Sequence, residues 1–156
     1  MLLSLFFWSE ATWLGTAVRE SVWLFAVLEA LHLLGLCVLG GSLLVVDLRM
    51  LGAGLARPSI AELADYARPW LLGALALSVA TGLPLFLSEA VKLYYIPSFR
   101  VKMVALPLAL LFTFTVRGRV VRNRTLETSA RSRLVAVASI ALWLTVAAAG
   151  RWIGYS

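Results

Sequence analysis

The chain has 156 residues, of which 62% are hydrophobic and only 14% are charged, and its mean hydropathy is +0.92. A soluble domain is typically about half apolar and a quarter charged, so this composition excludes an ordinary soluble domain and indicates an integral membrane protein. The net charge is +6, but the basic residues cluster beside apolar segments. That pattern is typical of membrane topology signals and does not favour nucleic-acid binding. The single cysteine, Cys37, excludes an internal disulfide bond.

The first twenty residues are predicted to form an interfacial segment. Their apolar run has no positively charged region before it and no good small-residue cleavage site, so we do not expect a secretory signal. Aromatic and polar side chains alternate here, as in a helix that lies in the membrane interface. These residues are Phe6, Phe7, Trp8 and Trp13, with Ser9, Glu10 and Thr12.

Residues 21–156 contain four segments that are long and apolar enough to cross roughly 30 Å of hydrocarbon. They cover about 22–46, 69–88, 99–116 and 134–150. Pro84 and Pro107 are expected to kink the second and third helices, because proline removes a backbone donor. The sequence therefore predicts an all-α fold, a four-transmembrane-helix bundle with an N-terminal interfacial helix.

The segment between the first two spans carries charges and a helix start. We expect Asp47 and Arg49 to pair with each other or with Arg68 at the membrane surface. Ser59 followed by Glu62 predicts a capping box, in which each side chain bonds the other residue's backbone N–H. A short amphipathic helix is therefore expected before the second span.

Arginines set the predicted orientation. The two loops that join spans one to two and three to four hold nine basic residues, and the opposite side holds five. The positive-inside rule places such loops in the cytoplasm. We therefore expect a multi-pass protein of the bacterial inner membrane with both termini in the periplasm. Contacts with anionic lipids or a partner are a second explanation for some of these arginines.

Ionisable side chains within the spans are the main functional signal. Glu29 and His32 lie three residues apart in the first span and so share a helix face. His32 is the only histidine, and it lies roughly 15 Å below the start of its span at 1.5 Å rise per residue. Lys102 and Arg151 are predicted in the same half of the membrane. Ionisable groups at that depth are costly and usually mark a functional site.

This residue set favours a haem site. A neutral imidazole in an apolar pocket is a good axial ligand for haem iron, and the haem propionates need cations. We expect His32 to bind the iron of haem b, Glu29 to act as its hydrogen-bond or proton-relay partner, and Lys102 and Arg151 to contact the propionates. Met103 is the nearest candidate for a second axial ligand. Without a second histidine, two imidazole ligands require two chains.

Other interpretations stay open. Glu29, His32 and Lys102 can form a structural network in a non-enzymatic subunit or a small transport or assembly protein. Copper at His32 is a weaker alternative, since Cys37 is five residues away and does not share its face well. Proton transfer through Glu29 and His32 is a third possibility. A homo-oligomer and a redox partner are expected.

Two expectations concern single side chains. Trp143 is either packed in the core or stacked against a ligand. Thr81 and Ser78 are expected only to bond their own helix backbone.

Several short motifs resemble an uncharacterised family of small bacterial four-span membrane proteins. They are Glu29–Gly35 (EALHLLG), Gly41, Asp47–Gly52 (DLRMLG), Leu142–Trp143 and Ala149–Trp152 (AGRW). The resemblance covers nearly the whole chain and implies a four-helix membrane fold.

More remotely, the chain is similar to the copper-resistance D superfamily, which includes a haem-binding protoporphyrinogen-oxidase family. In that family a first-helix histidine and a lysine that opens the third helix belong to the haem site. His32 and Lys102 match those two positions, so the resemblance implies a haem site at these residues. The chain lacks the family's further histidines and its tryptophan-rich region after the first histidine, which puts the oxidase activity in doubt.

Overall fold

The structure, a computed structural model, is helical throughout the residues it describes, which are 2–53, 58–123 and 129–155. The helices are α1 (Leu2–Glu10), α2 (Trp13–Glu20), α3 (Val22–Leu51), α4 (Ile60–Ser88), α5 (Ala90–Tyr95), α6 (Pro97–Phe112), α7 (Gly118–Arg122) and α8 (Ala130–Ile153). A π-helical turn, Thr113–Arg117, joins α6 to α7. The predicted all-α class is confirmed.

Four helical segments are long and apolar enough to cross a membrane: Val22–Leu51, Ile60–Ser88, Pro97–Arg122 and Ala130–Ile153. The chain is an integral membrane protein by this criterion. All four segments extend beyond the predicted spans at the end of the bundle that carries the arginine-rich connections, hereafter the arginine-rich end. Hydropathy marks only the apolar part of a helix, whereas backbone hydrogen bonds continue into the polar interface.

The second span and the amphipathic segment before it form one helix, α4. The predicted capping box is confirmed, because Ser59 Oγ accepts from the Glu62 N–H at 3.2 Å and the Glu62 carboxylate accepts from the Ser59 N–H at 2.9 Å. Pro69 lies inside the helix and does not start it. A proline in a membrane helix is tolerated where neighbours satisfy the freed carbonyl.

The N-terminal segment forms two helices and covers the end of the bundle opposite the arginine-rich end. α1 packs against α5, and α2 packs against α4. Glu10 joins these parts, since its carboxylate pairs with Arg19 at 3.1 Å and accepts from the Val91 N–H at 2.7 Å. Gly15 permits the close approach of α2, because a Cβ there would lie 2.5 Å from the carbonyl oxygen of Leu87.

Close packing of α3 on α4 positions the centre of the bundle. α3 contacts α4 and α8, and α6 contacts α8. A Cβ on Gly35 would lie 2.8 Å from the Ser78 hydroxyl of α4, so a larger residue at this crossing requires that hydroxyl to move. Small residues allow such approaches in membranes, where packing and polar contacts replace the hydrophobic effect as the driving force.

Candidate functional site

His32 lies half-buried between α3 and α4, where Thr81 holds its ring. His32 Nδ1 is 3.0 Å from Thr81 Oγ1, and that hydroxyl donates its own hydrogen to the Leu77 carbonyl at 2.7 Å. Because a hydroxyl has one hydrogen to donate, Thr81 must accept from the imidazole. This hydrogen-bond network assigns the proton of a neutral imidazole to Nδ1 and leaves the lone pair on Nε2.

Gly82 makes room for the imidazole on α4. A Cβ at this position would lie 2.9 Å from His32 Cε1 and 3.3 Å from Nδ1. The ring therefore rests directly against the helix backbone, and a larger residue at position 82 must displace it. No sequence pattern pointed to this role of Gly82, and Thr81 was expected to bond only its own helix backbone, whereas it also bonds the imidazole.

Lys102 approaches the same region from α6. Its side chain is partly buried and runs along α8, with Nζ 3.6 Å from the position a Cβ on Gly150 would take. Among the described residues, no carboxylate pairs with Lys102. No hydrogen bond joins Lys102 to His32 in the described chain, and the link between the two residues is the electrostatic influence of the ammonium. We call His32, Thr81 and Lys102 the histidine cluster.

The other predicted site residues lie outside this cluster. Glu29 is exposed on α3, and within the described residues its carboxylate has no hydrogen-bond or ion-pair partner. The predicted bonds from Glu29 to His32 and Lys102 are therefore not formed within the described chain. Met103 is 53% exposed. Arg151 is exposed and donates to the Tyr155 hydroxyl at 2.6 Å.

A second polar cluster, which we call the aspartate cluster, lies buried nearer the arginine-rich end. Asp47 is 1% exposed and Arg117 is 6% exposed. Arg117 Nε donates to Asp47 Oδ1 at 2.7 Å, and Ser139 Oγ donates to Asp47 Oδ2 at 2.6 Å. Arg117 Nη2 also donates to the Leu43 carbonyl at 3.2 Å. The cluster joins α3, the π-helical turn and α8.

The expected pairing of Asp47 with Arg49 or Arg68 at the surface is wrong. Asp47 follows Leu43 by one turn on the packed face of α3, so its carboxylate points into the bundle. Arg49 instead donates to the Pro58 carbonyl at 3.0 Å. Arg117 reaches Asp47 from the last position of the π-helical turn. Such turns change the direction of following side chains and are frequent at functional sites.

Comparison with known proteins identifies the family. Residues 5–156 match the model of DUF6644, a family of unknown function. The chain belongs to the DUF6644 family. No curated protein and no solved structure matches it. Membership of an uncharacterised family, as the motifs predicted, is thus confirmed for this DUF6644 chain, and no link to the copper-resistance D superfamily emerges.

Trp143 connects the two halves of the DUF6644 bundle. It packs against two buried apolar clusters, one made of Leu39, Leu43, Leu71 and Ala74 and the other of Ala105, Ala109 and Val146. Its indole N–H donates to Thr113 Oγ1 at 3.0 Å, at the start of the π-helical turn. Of the two interpretations the sequence allowed, the structure supports packed core.

The chemistry open to this DUF6644 member is narrow. No group of three or more His, Cys, Asp or Glu side chains lies together in the described part of the chain. A metal held at His32 would thus have few protein ligands. Haem iron needs only one or two ligands from the protein, because the porphyrin supplies the other four. The Nε2 lone pair of His32 and the nearby cation of Lys102 fit that requirement.

Proposed function

We propose that the chain is a membrane protein that binds haem b through His32 Nε2. The observation that carries the proposal is the hydrogen bond from Nδ1 to Thr81, whose own hydrogen is committed to Leu77. Histidines that ligate metals usually donate their other ring N–H to a fixed acceptor, which sets the tautomer and the orientation of the ring. The arrangement around His32 has this form.

Lys102 supports the same proposal. Haem carries two propionates, and Lys102, which has no carboxylate partner among the described residues, suits one of them. In this proposal Arg151 serves a propionate nearer the membrane surface. Met103 would become a second axial ligand only after a movement or from a second copy, because its side chain is exposed. Glu29 is exposed on α3 and, as the proposed proton relay, would exchange protons with water or a polar headgroup.

When bound, haem would supply one-electron redox chemistry, which suits electron transfer or porphyrin oxidation. The chain's own residues orient the imidazole through Thr81 and surround it with apolar spans. By the positive-inside rule we place the arginine-rich end in the cytoplasm of a bacterial cell and both termini in the periplasm. A homo-oligomer and a redox partner belong to the same proposal.

A second candidate is a non-enzymatic membrane subunit, in which the polar residues only join helices. The His32–Thr81 hydrogen bond favours it as well, since it links α3 to α4. An interhelical hydrogen bond in a membrane contributes about 0.6 kcal/mol on average. If the chain is such a subunit, His32 stabilises the folded state and binds no ligand.

The absorption spectrum of the purified chain separates the two candidates. We expect protein isolated in mild detergent from haem-supplied cells to show a Soret band, and we expect His32→Ala to lose it. Cys37→Ala is the matched control on the same helix and should keep the band, because Cys37 is exposed. Elemental analysis of the same samples tests copper against iron. A colourless parent protein whose His32→Ala variant is merely less stable favours the subunit.

A further inference from the structure

We propose that Asp47 and Arg117 are positioning residues for the histidine cluster. Their ion pair fixes the register of α6 against α3 and so holds Lys102 level with His32. The proposal rests on the proposed function for the role of His32 and Lys102, but the register is a property of the fold with or without a ligand.

Equal spacing along two parallel helices is the first argument. Asp47 follows His32 by fifteen residues on α3, and Arg117 follows Lys102 by fifteen residues on the third span. The two spans run in the same direction, because the chain crosses the bundle once between them. Fifteen residues of helix rise about 22 Å. If the ion pair holds Asp47 and Arg117 at the same height along the bundle, His32 and Lys102 must therefore also lie at about the same height as each other.

The second argument concerns the way in which the third span is joined to α3. α3 packs on α4 and α8, whereas α6 packs on α8, and the described residues show no extensive contact between α3 and α6. The two bonds from Arg117, to Asp47 and to the Leu43 carbonyl, are the direct hydrogen bonds between α3 and the third span in the described chain. Val46 and Met50 of α3 also share an apolar cluster with Val120 and Val121 of α7. Because hydrogen bonds are directional and apolar contacts are not, the bonds of Arg117 define the register.

Hydrogen bonds from α8 hold α3 and the third span in the same register. Ser139 donates to the free oxygen of Asp47, and Trp143, one turn further along, donates to Thr113 at the start of the π-helical turn. Sliding α6 by one helical turn of about 5.4 Å would break these bonds and leave a charge buried without a partner. Such a displaced state is strongly disfavoured inside a membrane, so the register has one preferred value.

Distances between spin labels test this directly. In a Cys37→Ser background, labels at the exposed positions Leu33 and Val101 report α3 against α6 beside His32 and Lys102. We expect Arg117→Leu to shift or broaden this distance by a few ångströms, up to the turn of about 5.4 Å. Labels at Leu34 and Leu144, on α3 and α8, should report an unchanged distance in the same variant.

Conservative variants keep the test decisive if Arg117→Leu does not fold. Asp47→Asn and Arg117→Lys retain most of the volume, and we expect Asp47→Asn to broaden the Leu33–Val101 distance and Arg117→Lys to broaden it less. The exposed Arg122→Leu is the control and should change nothing. An unchanged Leu33–Val101 distance in Asp47→Asn overturns the proposal. All distances are measured on haem-free protein, so they test the register alone. If the distances change as expected but the parent chain takes up no haem in a separate titration, the proposed function fails and the register proposal stands.

Discussion

Arg117→Leu should destabilise the folded chain by roughly 3–5 kcal/mol, because removing one partner of a buried ion pair leaves the other charge uncompensated. Asp47 would remain 1% exposed with only the Ser139 hydroxyl to bond its carboxylate. The free energy of unfolding, measured in a lipid or bicelle environment with increasing denaturant, checks the value. Arg119→Leu is the matched control, since Arg119 is exposed at the same end. Surface substitutions of this kind usually stay within about 0.5 kcal/mol.

The double variant Asp47→Leu/Arg117→Leu sharpens that prediction. Replacing both members of a buried pair by apolar residues is often close to neutral for stability. We therefore expect the double variant to unfold at a free energy nearer to the parent chain than Arg117→Leu does. If Arg117→Leu costs no more than Arg119→Leu, the aspartate cluster is not the energetic link between α3, the π-helical turn and α8.

Gly82→Val should remove most of the haem from the chain. Even a Cβ at position 82 would lie 2.9 Å from His32 Cε1, and valine adds two methyl groups beyond it. The imidazole must then leave its place against α4 and lose its hydrogen bond to Thr81. Loss of an outer partner of a ligating histidine typically lowers metal affinity on the order of 10–100-fold. Haem titration of the detergent-purified protein measures the effect.

Gly73→Val is the control for this substitution. Gly73 lies on the same helix with nothing within 4 Å of its Cβ position, so valine there meets open space. Each variant replaces one glycine of α4 by valine, so the two substitutions are chemically identical. Equal haem affinity in the two variants would show that the place of His32 against Gly82 has no part in binding.

The number and course of the spans could be predicted from sequence because hydropathy responds to the apolar middle of each helix. The capping box of Ser59 and Glu62 could be predicted because its spacing is local. The merging of that segment with the second span could not, since Pro69 is a common helix start and only its neighbours decide that the helix continues.

The rotation of each helix about its own axis explains most of what the sequence did not reveal at the site. Depth along a helix follows from residue number, which is why His32 and Lys102 are predicted to lie in one half of the bundle. Which neighbour each side chain meets depends on how α3, α4 and α6 are rotated, and that places Glu29 outside the cluster while Thr81 and Gly82 hold the imidazole.

One sequence pattern could have predicted part of the aspartate cluster. Gly35, Leu39, Leu43 and Asp47 recur at four-residue spacing, so Asp47 lies on the face that packs against the bundle. Its partner was hidden because Arg117 stands among loop arginines and reaches inward only through the π-helical turn. Sequence propensity does not reveal where such a turn adds its extra residue.

The most direct test of haem ligation by His32 is chemical rescue of His32→Gly. The substitution removes the imidazole and leaves a space of its shape beside Gly82 and Thr81. We expect the variant to lack the Soret band of the parent chain, and added imidazole to restore haem binding with a spectrum like that of the parent. A parent chain that takes up no haem, or a His32→Gly variant that binds haem with the parent's spectrum before imidazole is added, would contradict the proposed site.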